Sequence, residues 1–363
     1  MLGGAEKQAL YLANYLQNKR GCNVYIYAYI KAENSTLFYN ECERYQLKNL
    51  FVVKNPLSAS GKFKYLKRRV KIALFGLKLR KHQPDIIIPY LNPSSIIASL
   101  SYKIAGAKFT FWHHRGADYY RNDKIEQKAV QKAPFFIANS QNGVAELQQQ
   151  FNIPKSKLFF LPNFSTIEKV NKKSNLSIKE QLKNKIVIGM IAHFREEKYQ
   201  QLLVESYFQL KKQHTNIHLV LVGNVLHQPK EQERFGVLKS YIKTHKLTNY
   251  ITILHNTNAT EILPLLDIGV LTSKTEGMPN IIMEYMAYSL PIVTTNHAGC
   301  ISLLGKKYPY FIENKVNELT EKLDIFISDK KEREKTGSLN HQKLVNNFSI
   351  ENYLITLQKN LKG

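Results

Sequence analysis

Ile268-Gly269-Val270-Leu271-Thr272-Ser273-Lys274-Thr275-Glu276-Gly277-Met278-Pro279-Asn280-Ile281-Ile282-Met283-Glu284-Tyr285-Met286-Ala287 is the stretch around which the chain is organised. Its first four residues are apolar and read as a strand, followed by a polar turn over 272–275. The chain then meets a Gly and a Pro and continues in a helix-like run over about 280–288. Pro279 stands where a first helical turn tolerates it, because the N–H it lacks would have no partner there. A strand feeding a helix N-terminus is how α/β proteins hold ligands, since backbone N–H groups and the helix dipole face the incoming group. Glu276 precedes the helix and Glu284 lies about two turns into it, so both can face one ligand from different depths. The helix end suits phosphate and the carboxylates suit sugar hydroxyls as acceptors. The expected ligand therefore has a phosphate end and hydroxyl-rich parts.

The same strand–helix rhythm runs on both sides. Residues 185–192, ending at Ala192, read as an apolar strand of the buried parallel kind. It delivers His193-Phe194-Arg195-Glu196-Glu197-Lys198 into a loop, with a helix expected over 199–214. Cations at that strand end suit a diphosphate, Arg as a planar fork and Lys as a point charge. Arg195 and Lys198 are the candidate clamp. Strands are expected at 218–223 and 251–254, with a helix near 230–245, a short one over 259–266, a strand over 292–295 and helices from 314 to 362. Earlier, a helix opens on Gly3 and Gly4 and strands are expected at 22–30, 49–53, 85–90, 108–112, 135–139 and 157–161. Alternation of this kind argues for parallel, doubly wound sheets.

Glu276, seven intervening residues and Glu284, within EGMPNIIMEYMA, resemble the paired-Glu signature of family-4 retaining glycosyltransferases of GT-B fold. The resemblance covers nearly the whole chain and is strongest over 185–295. It implies two Rossmann-like domains facing across a cleft: an N-terminal, acceptor-side domain (1–165), a linker rich in Lys, Ser and Asn (166–184), a nucleotide-sugar domain (185–345), and a last helix (346–363) crossing back to the first domain. It also implies a strand before Gly3 and Gly4 that is missing here, so the expected natural start lies upstream of Met1.

By the same resemblance, Glu284 would hold ribose hydroxyls and Glu276 the transferred sugar. The turn of Gly277, Met278, Pro279 and Asn280 would meet sugar or phosphate, with Gly3 and Gly4 approaching the diphosphate from the first domain. His193 stands where the family has Arg, with Arg195 two residues later. Gly223, Asn224 and His255 would line the base pocket. His113, His114 and Arg115, with Asp118 beyond them, are candidates for approaching donor sugar or acceptor, and the sequence leaves open which of them points inward. Ser302 replaces an acid usual in the family, which puts that minor site in doubt. No DxD-like pair stands where a divalent ion is expected, so neither a metal nor a cofactor is expected beside the nucleotide-sugar co-substrate. No enzymic nucleophile is evident, consistent with front-face attack in which the leaving phosphate helps deprotonate the acceptor.

The 363 residues exceed one ordinary core, and an apolar content of 44% suffices for two. Cys22, Cys42 and Cys300 are far apart and odd in number, giving neither a disulfide framework nor zinc spacing; a reduced, cytosolic compartment is expected. A net charge of +24 favours a polyanionic partner, but no zinc finger, RNP-like motif or helix-turn-helix accompanies it, so no nucleic-acid partner is expected. The segment from Lys62 to His82 is basic and amphipathic. Phe63, Leu66, Val70, Ala73, Leu74 and Leu77 share helical spacing, while Lys64, Lys67, Arg68, Lys71, Lys78 and Arg80 project elsewhere. The expected arrangement packs the apolar stripe inward and offers the basic face to anionic lipid at the inner membrane face. The leading expectation is a retaining glycosyltransferase acting on a lipid-linked or surface-polysaccharide acceptor. A catalytically inactive binding subunit, motivated by the missing strand and Ser302, and a GT-B sugar-nucleotide epimerase remain the alternatives.

Overall fold

In the computed structural model, residues 3–29, 35–115, 121–167, 174, 176–225 and 228–362 are described. The chain divides into two units, one spanning Phe164–Ser349, the other Leu2–Asn163 together with the chain from Ile350 onward. Residues 166–184, read as a linker, fall within the first of these, and 168–173 and 175 lie outside the described residues.

The N-terminal unit alternates helix and strand. It runs α1 (Gly4–Arg20), β1 (Tyr25–Ala28), α2 (Ser35–Arg44), β2 (Asn49–Val52), α3 (Lys64–Arg80), β3 (Ile86–Ile87), α4 (Leu91–Ala105), β4 (Phe109–Thr110) and β5 (Trp112–His114). It continues with α5 (Lys124–Lys132), β6 (Phe136–Ala138), α6 (Gln141–Phe151) and β7 (Leu158–Phe160). All described pairings are parallel: β1 with β2, β3 with β4, and β5 with β6 and β7. The expected strand at 108–112 is split between β4 and β5 at Phe111. Trp112, Phe136, Ile96 and Leu147 meet in the core, where α4, α5 and α6 cover the short strands. The last helix of the chain belongs to this unit; Tyr15 donates from its hydroxyl to Glu351 Oε1 at 2.8 Å.

The C-terminal unit holds α7 (Lys179–Leu182), β8 (Ile186–Ile191), α8 (Gln200–Lys211), β9 (Ile217–Val222), α9 (Pro229–Thr244), β10 (Ile251–Leu254) and α10 (Ala259–Ile262). After these come β11 (Ile268–Leu271), α11 (Asn280–Ala287), β12 (Ile292–Thr295), α12 (Ala298–Leu304), β13 (Phe311–Ile312), α13 (Val316–Ser328) and α14 (Lys330–Asn347), with α15 (Ile350–Lys362) returning to the N-terminal unit. Its six strands form one parallel sheet in the order β10-β9-β8-β11-β12-β13. β9, β11 and β12 are buried along their whole length, as expected for strands covered on both faces by helices. Tyr285, on α11, ties the helix to the sheet. Its hydroxyl accepts from Ile191 N–H at 3.0 Å and lies 3.2 Å from Gly189 O and 3.3 Å from Val270 O. Complete burial pushes that phenol well above its usual range.

The order positions a site. β8 is central; the next strand in the chain, β9, lies on one side of it and β11 on the other. The loops leaving the carboxyl ends of β8 and β11 therefore diverge, and ligands of doubly wound sheets bind at such a switch point.

Candidate functional site

Those two loops meet. After β8 the chain passes through His193, Phe194 and Arg195 into a single 3-10 turn, Glu196–Lys198, then Tyr199 and α8. After β11 it passes through Thr272 to Pro279 into α11. Lys198 Nζ forms an ion pair with Glu276 Oε1, and Ser273 Oγ donates to the same oxygen at 2.7 Å. Lys274 N–H donates to Glu197 O at 2.7 Å, and Thr272 Oγ1 lies 3.0 Å from the carbonyl oxygens of both Lys198 and Tyr199. Tyr199 adopts φ +49°, a left-handed conformation costly for a non-glycine residue. Thr272 is placed to hold it there, and so fixes where Lys198 enters the site.

Lys198 and Glu276 keep 20% and 15% of their side chains exposed, enough to reach a ligand and too little for water to screen the pair fully. Glu284, just over one turn into α11, is buried. Arg195 behaves differently from the expected clamp: its guanidinium is about two-fifths exposed and turns to Glu197 at 3.4 Å. An exposed pair of that length is worth at most about 1 kcal/mol, so little holds Arg195 away from an anion. No side chain caps α11 at Pro279.

The turn after Glu276 is pinned from behind. Gly299, on α12, approaches so closely that a Cβ there would sit 1.9 Å from Gly277 O. His297, the N-cap of α12, accepts from Cys300 N–H at Nδ1, which requires an unprotonated Nδ1. Burial lowers the His297 pKa, Glu276 raises it in part and Lys198 lowers it, so this imidazole senses both members of the ion pair. His297 and Ser273 had no sequence signal of their own; His297 is brought near Glu276 by the pairing of β11 with β12, and Ser273 reaches it from three residues earlier in the same loop. Ser302 faces its own helix, donating to Ala298 O at 2.8 Å.

A second cluster lies over β9 and β10 on the same edge. His255 Nδ1 is 2.7 Å from Gly223 O, Asn224 Nδ2 donates to Asn256 Oδ1 at 2.8 Å, and Asn256 N–H donates to Asn224 Oδ1 at 2.8 Å. Asn224 N–H approaches His193 Nδ1 at 3.4 Å. Burial, then the neighbouring Arg195 cation, lowers the His193 pKa. Gly223 is required by space, because a Cβ would fall 2.0 Å from Ala192 O. Phe194 and Phe235 pack with ring centroids 4.8 Å apart, each within 6 Å of the His255 ring. Phe235 comes from α9 and carried no signal in the sequence.

In the N-terminal unit the two adjacent histidines part. His113 is buried, its Nδ1 3.0 Å from Pro89 O and its Nε2 3.3 Å from Arg115 Nη1. Burial foremost, then the Arg115 cation, holds it well below the usual histidine range. Arg115 donates to Asn163 Oδ1 at 2.7 Å and stacks over Tyr90. His114 faces the other way, Nε2 3.1 Å from Glu146 Oε2 of α6. His113 and Arg115 thus form one cluster, and His114 fastens a helix. Asp118 lies outside the described residues. Gly3 and Gly4 stand at the amino end of α1. Among the described residues no three His, Cys, Asp or Glu side chains gather as metal ligands would. A cavity of about 390 Å³ lined by Lys179, Val187 and Asp267 sits at the opposite, amino-terminal edge of the sheet and has none of the site residues.

Comparison with known proteins matches this chain to two family descriptions: "Glycosyltransferase Family 4" over residues 2–168 and "Glycosyl transferases group 1" over residues 172–342. An uncharacterized glycosyltransferase of Methanocaldococcus jannaschii is 25% identical over 67% of this chain and 62% of its own length. The capsular polysaccharide biosynthesis glycosyltransferase CapM of Staphylococcus aureus is 23% identical over 52% of this chain and 49% of its own. A Campylobacter jejuni N-acetylgalactosamine-N,N'-diacetylbacillosaminyl-diphospho-undecaprenol 4-alpha-N-acetylgalactosaminyltransferase is 27% identical over 48% of this chain and 45% of its own. The chain therefore spans less than two thirds of each of these relatives. Among solved structures, Anabaena HepE in complex with UDP and glucose superposes with a TM-score of 0.77 at 17% identity, covering 99% of this chain and 96% of that one. A Rickettsia africae glycosyltransferase gives 0.77 at 20% identity, covering 99% and 94%. The fold is that of GT-B glycosyltransferases, and with the two family matches together spanning nearly the whole sequence, this chain belongs to the family-4, group 1 glycosyltransferases.

Proposed function

We propose that the chain moves a sugar from a nucleoside diphosphate donor to a glycan or lipid-linked acceptor with retention of anomeric configuration. One observation carries this reading: the Lys198–Glu276 ion pair, formed by the two loops that diverge from the centre of the sheet. A diphosphate drawn to Lys198 takes that ammonium from Glu276, and the freed carboxylate becomes an acceptor for a sugar hydroxyl. Arg195 can leave Glu197 for the same phosphates. The cluster of Asn224, His255, Phe194 and Phe235 offers rings and amides to a base.

The chemistry asks mainly for charge stabilisation. The bond from the anomeric carbon to the phosphate oxygen breaks and its electron pair stays on phosphate. The acceptor oxygen bonds the same carbon from the same face, and its proton passes to the departing phosphate oxygen. Negative charge grows on the leaving group, where Lys198, Arg195 and the first turn of α11 supply fixed positive potential.

The names of the relatives support the donor and acceptor classes. HepE is seen with UDP and glucose, and two curated relatives are named for capsular polysaccharide synthesis and for transfer to a diphospho-undecaprenol glycan. Thermal unfolding with a panel of nucleotide sugars tests the reading, since a ligand that binds the native state raises the melting temperature. One donor class should stabilise the protein and be turned over, with turnover lost in Glu276→Ala. No stabilisation by any nucleotide sugar would sink the proposal.

A further inference from the structure

Helix α3 does not pack as its periodicity suggested. Ile72, Gly76 and Leu79 are the residues it buries, and Gly76 lets α4 approach until a Cβ there would be 3.0 Å from Ile104. Phe63, Leu66, Val70, Leu74 and Leu77, expected to face inward, are each between 50% and 66% exposed. At about 100° per residue these five fall within about 40° of one line along the helix. They make up five of the fifteen large hydrophobic side chains exposed among the described residues, which the rest of the chain scatters.

The flanks of that stripe are basic. Lys64, Lys67, Lys71 and Lys78 lie on one side, Arg69 and Arg80 on the other, all exposed, and no Asp or Glu occurs between Lys64 and Arg80. Beside it, Lys67, Arg68, Lys71 and Arg121 line a shallow cavity of about 570 Å³ floored by the 57–60 backbone. Within it Lys71 donates to Ser58 O at 2.6 Å, and Arg68 and Arg121 share a single carboxylate, Asp123.

We propose that the outer face of α3 lies in the surface of an anionic bilayer, its apolar stripe sunk among acyl chains and its two basic flanks at the phosphate level. An apolar stripe bordered on both sides by cations is the pattern of an interfacial helix. The alternative of a second copy is disfavoured by charge, because two such faces would bring like charges together in a chain of net charge +24. No helix among the described residues is long and apolar enough to cross a membrane. The inference does not depend on the sugar-transfer reading.

Co-sedimentation of the full chain with vesicles tests it. Phosphatidylcholine mixed with phosphatidylglycerol should bind the protein, phosphatidylcholine alone should not, and binding should weaken with salt. Leu66→Glu combined with Leu74→Glu should cut binding at least about tenfold. Lys67→Gln and Lys71→Gln should each weaken it roughly fivefold. Val237→Glu, at an equally exposed position on α9, should leave it unchanged. All these side chains are exposed, so melting temperature should hold and confirm that each variant folds. Equal binding to both vesicle types, binding indifferent to the Leu66/Leu74 pair, or a lipid-free dimer dissolved by that pair would overturn the proposal.

Discussion

Gly299→Ala reaches the candidate site from behind, through the backbone of the turn after Glu276. A Cβ on Gly299 lies 1.9 Å from Gly277 O, 2.8 Å from Gly277 C and 3.2 Å from Glu276 O. Non-bonded heavy atoms need roughly 3.5 Å, so the Glu276–Gly277 peptide or the start of α12 must shift by about 1.5 Å. The opposing atoms are backbone, and no side chain can rotate out of the way. Overpacking of this kind costs about 1–3 kcal/mol, and up to about 1 kcal/mol returns from the better helix propensity of alanine. The net loss of stability should be modest, about 1–2 kcal/mol. The effect on turnover should be larger: displacement of a positioning group by about 1 Å can cost on the order of a hundredfold. The assay is donor turnover with the nucleotide sugar that most raises the melting temperature of the parent protein, alongside urea unfolding. Ser302→Ala on the same helix, whose hydroxyl turns back to Ala298 O, is the matched control and should change neither. If Gly299→Ala turns over donor within about twofold of the parent, the turn after Glu276 does not need its position and the geometric reasoning fails.

Tyr285→Phe should destabilise the C-terminal unit by about 1–3 kcal/mol in urea unfolding, because Ile191 N–H and two strand carbonyls lose their shared hydroxyl in a dry core. Stability should also fall with acid through His218. Burial, with Lys185 and Lys211 adding, depresses its pKa from 6.5 to about 4, so the unfolded chain takes up a proton that the folded one refuses. That contribution is complete above about pH 6.5 and drains away as pH drops towards about 4; the melting temperature of His218→Gln should decline less steeply across this window. Glu276→Gln keeps the side chain's shape and removes its charge, releasing Lys198; turnover should drop by about a hundredfold or more while nucleotide binding survives.

The C-terminal sheet could be read from the sequence because β8, β9, β11 and β12 are buried on both faces and therefore spell unbroken apolar runs. The loops that follow inherit their place from the strands, which is why Lys198 and Glu276 were legible as neighbours. Arg195 was not, because one rotamer separates the site from Glu197 and periodicity carries no rotamers. Helix α3 failed for a related reason. It carries two apolar sets, and spacing shows which residues share a face but not which face meets the protein; Gly76 was the clue, since a small residue marks where α4 comes close. His297 and Phe235 join the site through contacts between elements far apart in the chain, whereas Ser273 reaches Glu276 from within the same loop.

The central claim is that Lys198 and Glu276 exchange each other for the two ends of an activated sugar. Calorimetric titration of UDP into the parent protein, Lys198→Gln and Glu276→Gln tests it most directly. The account predicts that Lys198→Gln binds UDP at least about tenfold more weakly, and that Glu276→Gln binds it as tightly as the parent or tighter, the ammonium no longer being held by its carboxylate. Unchanged affinity in Lys198→Gln, with binding in the parent intact, would contradict it.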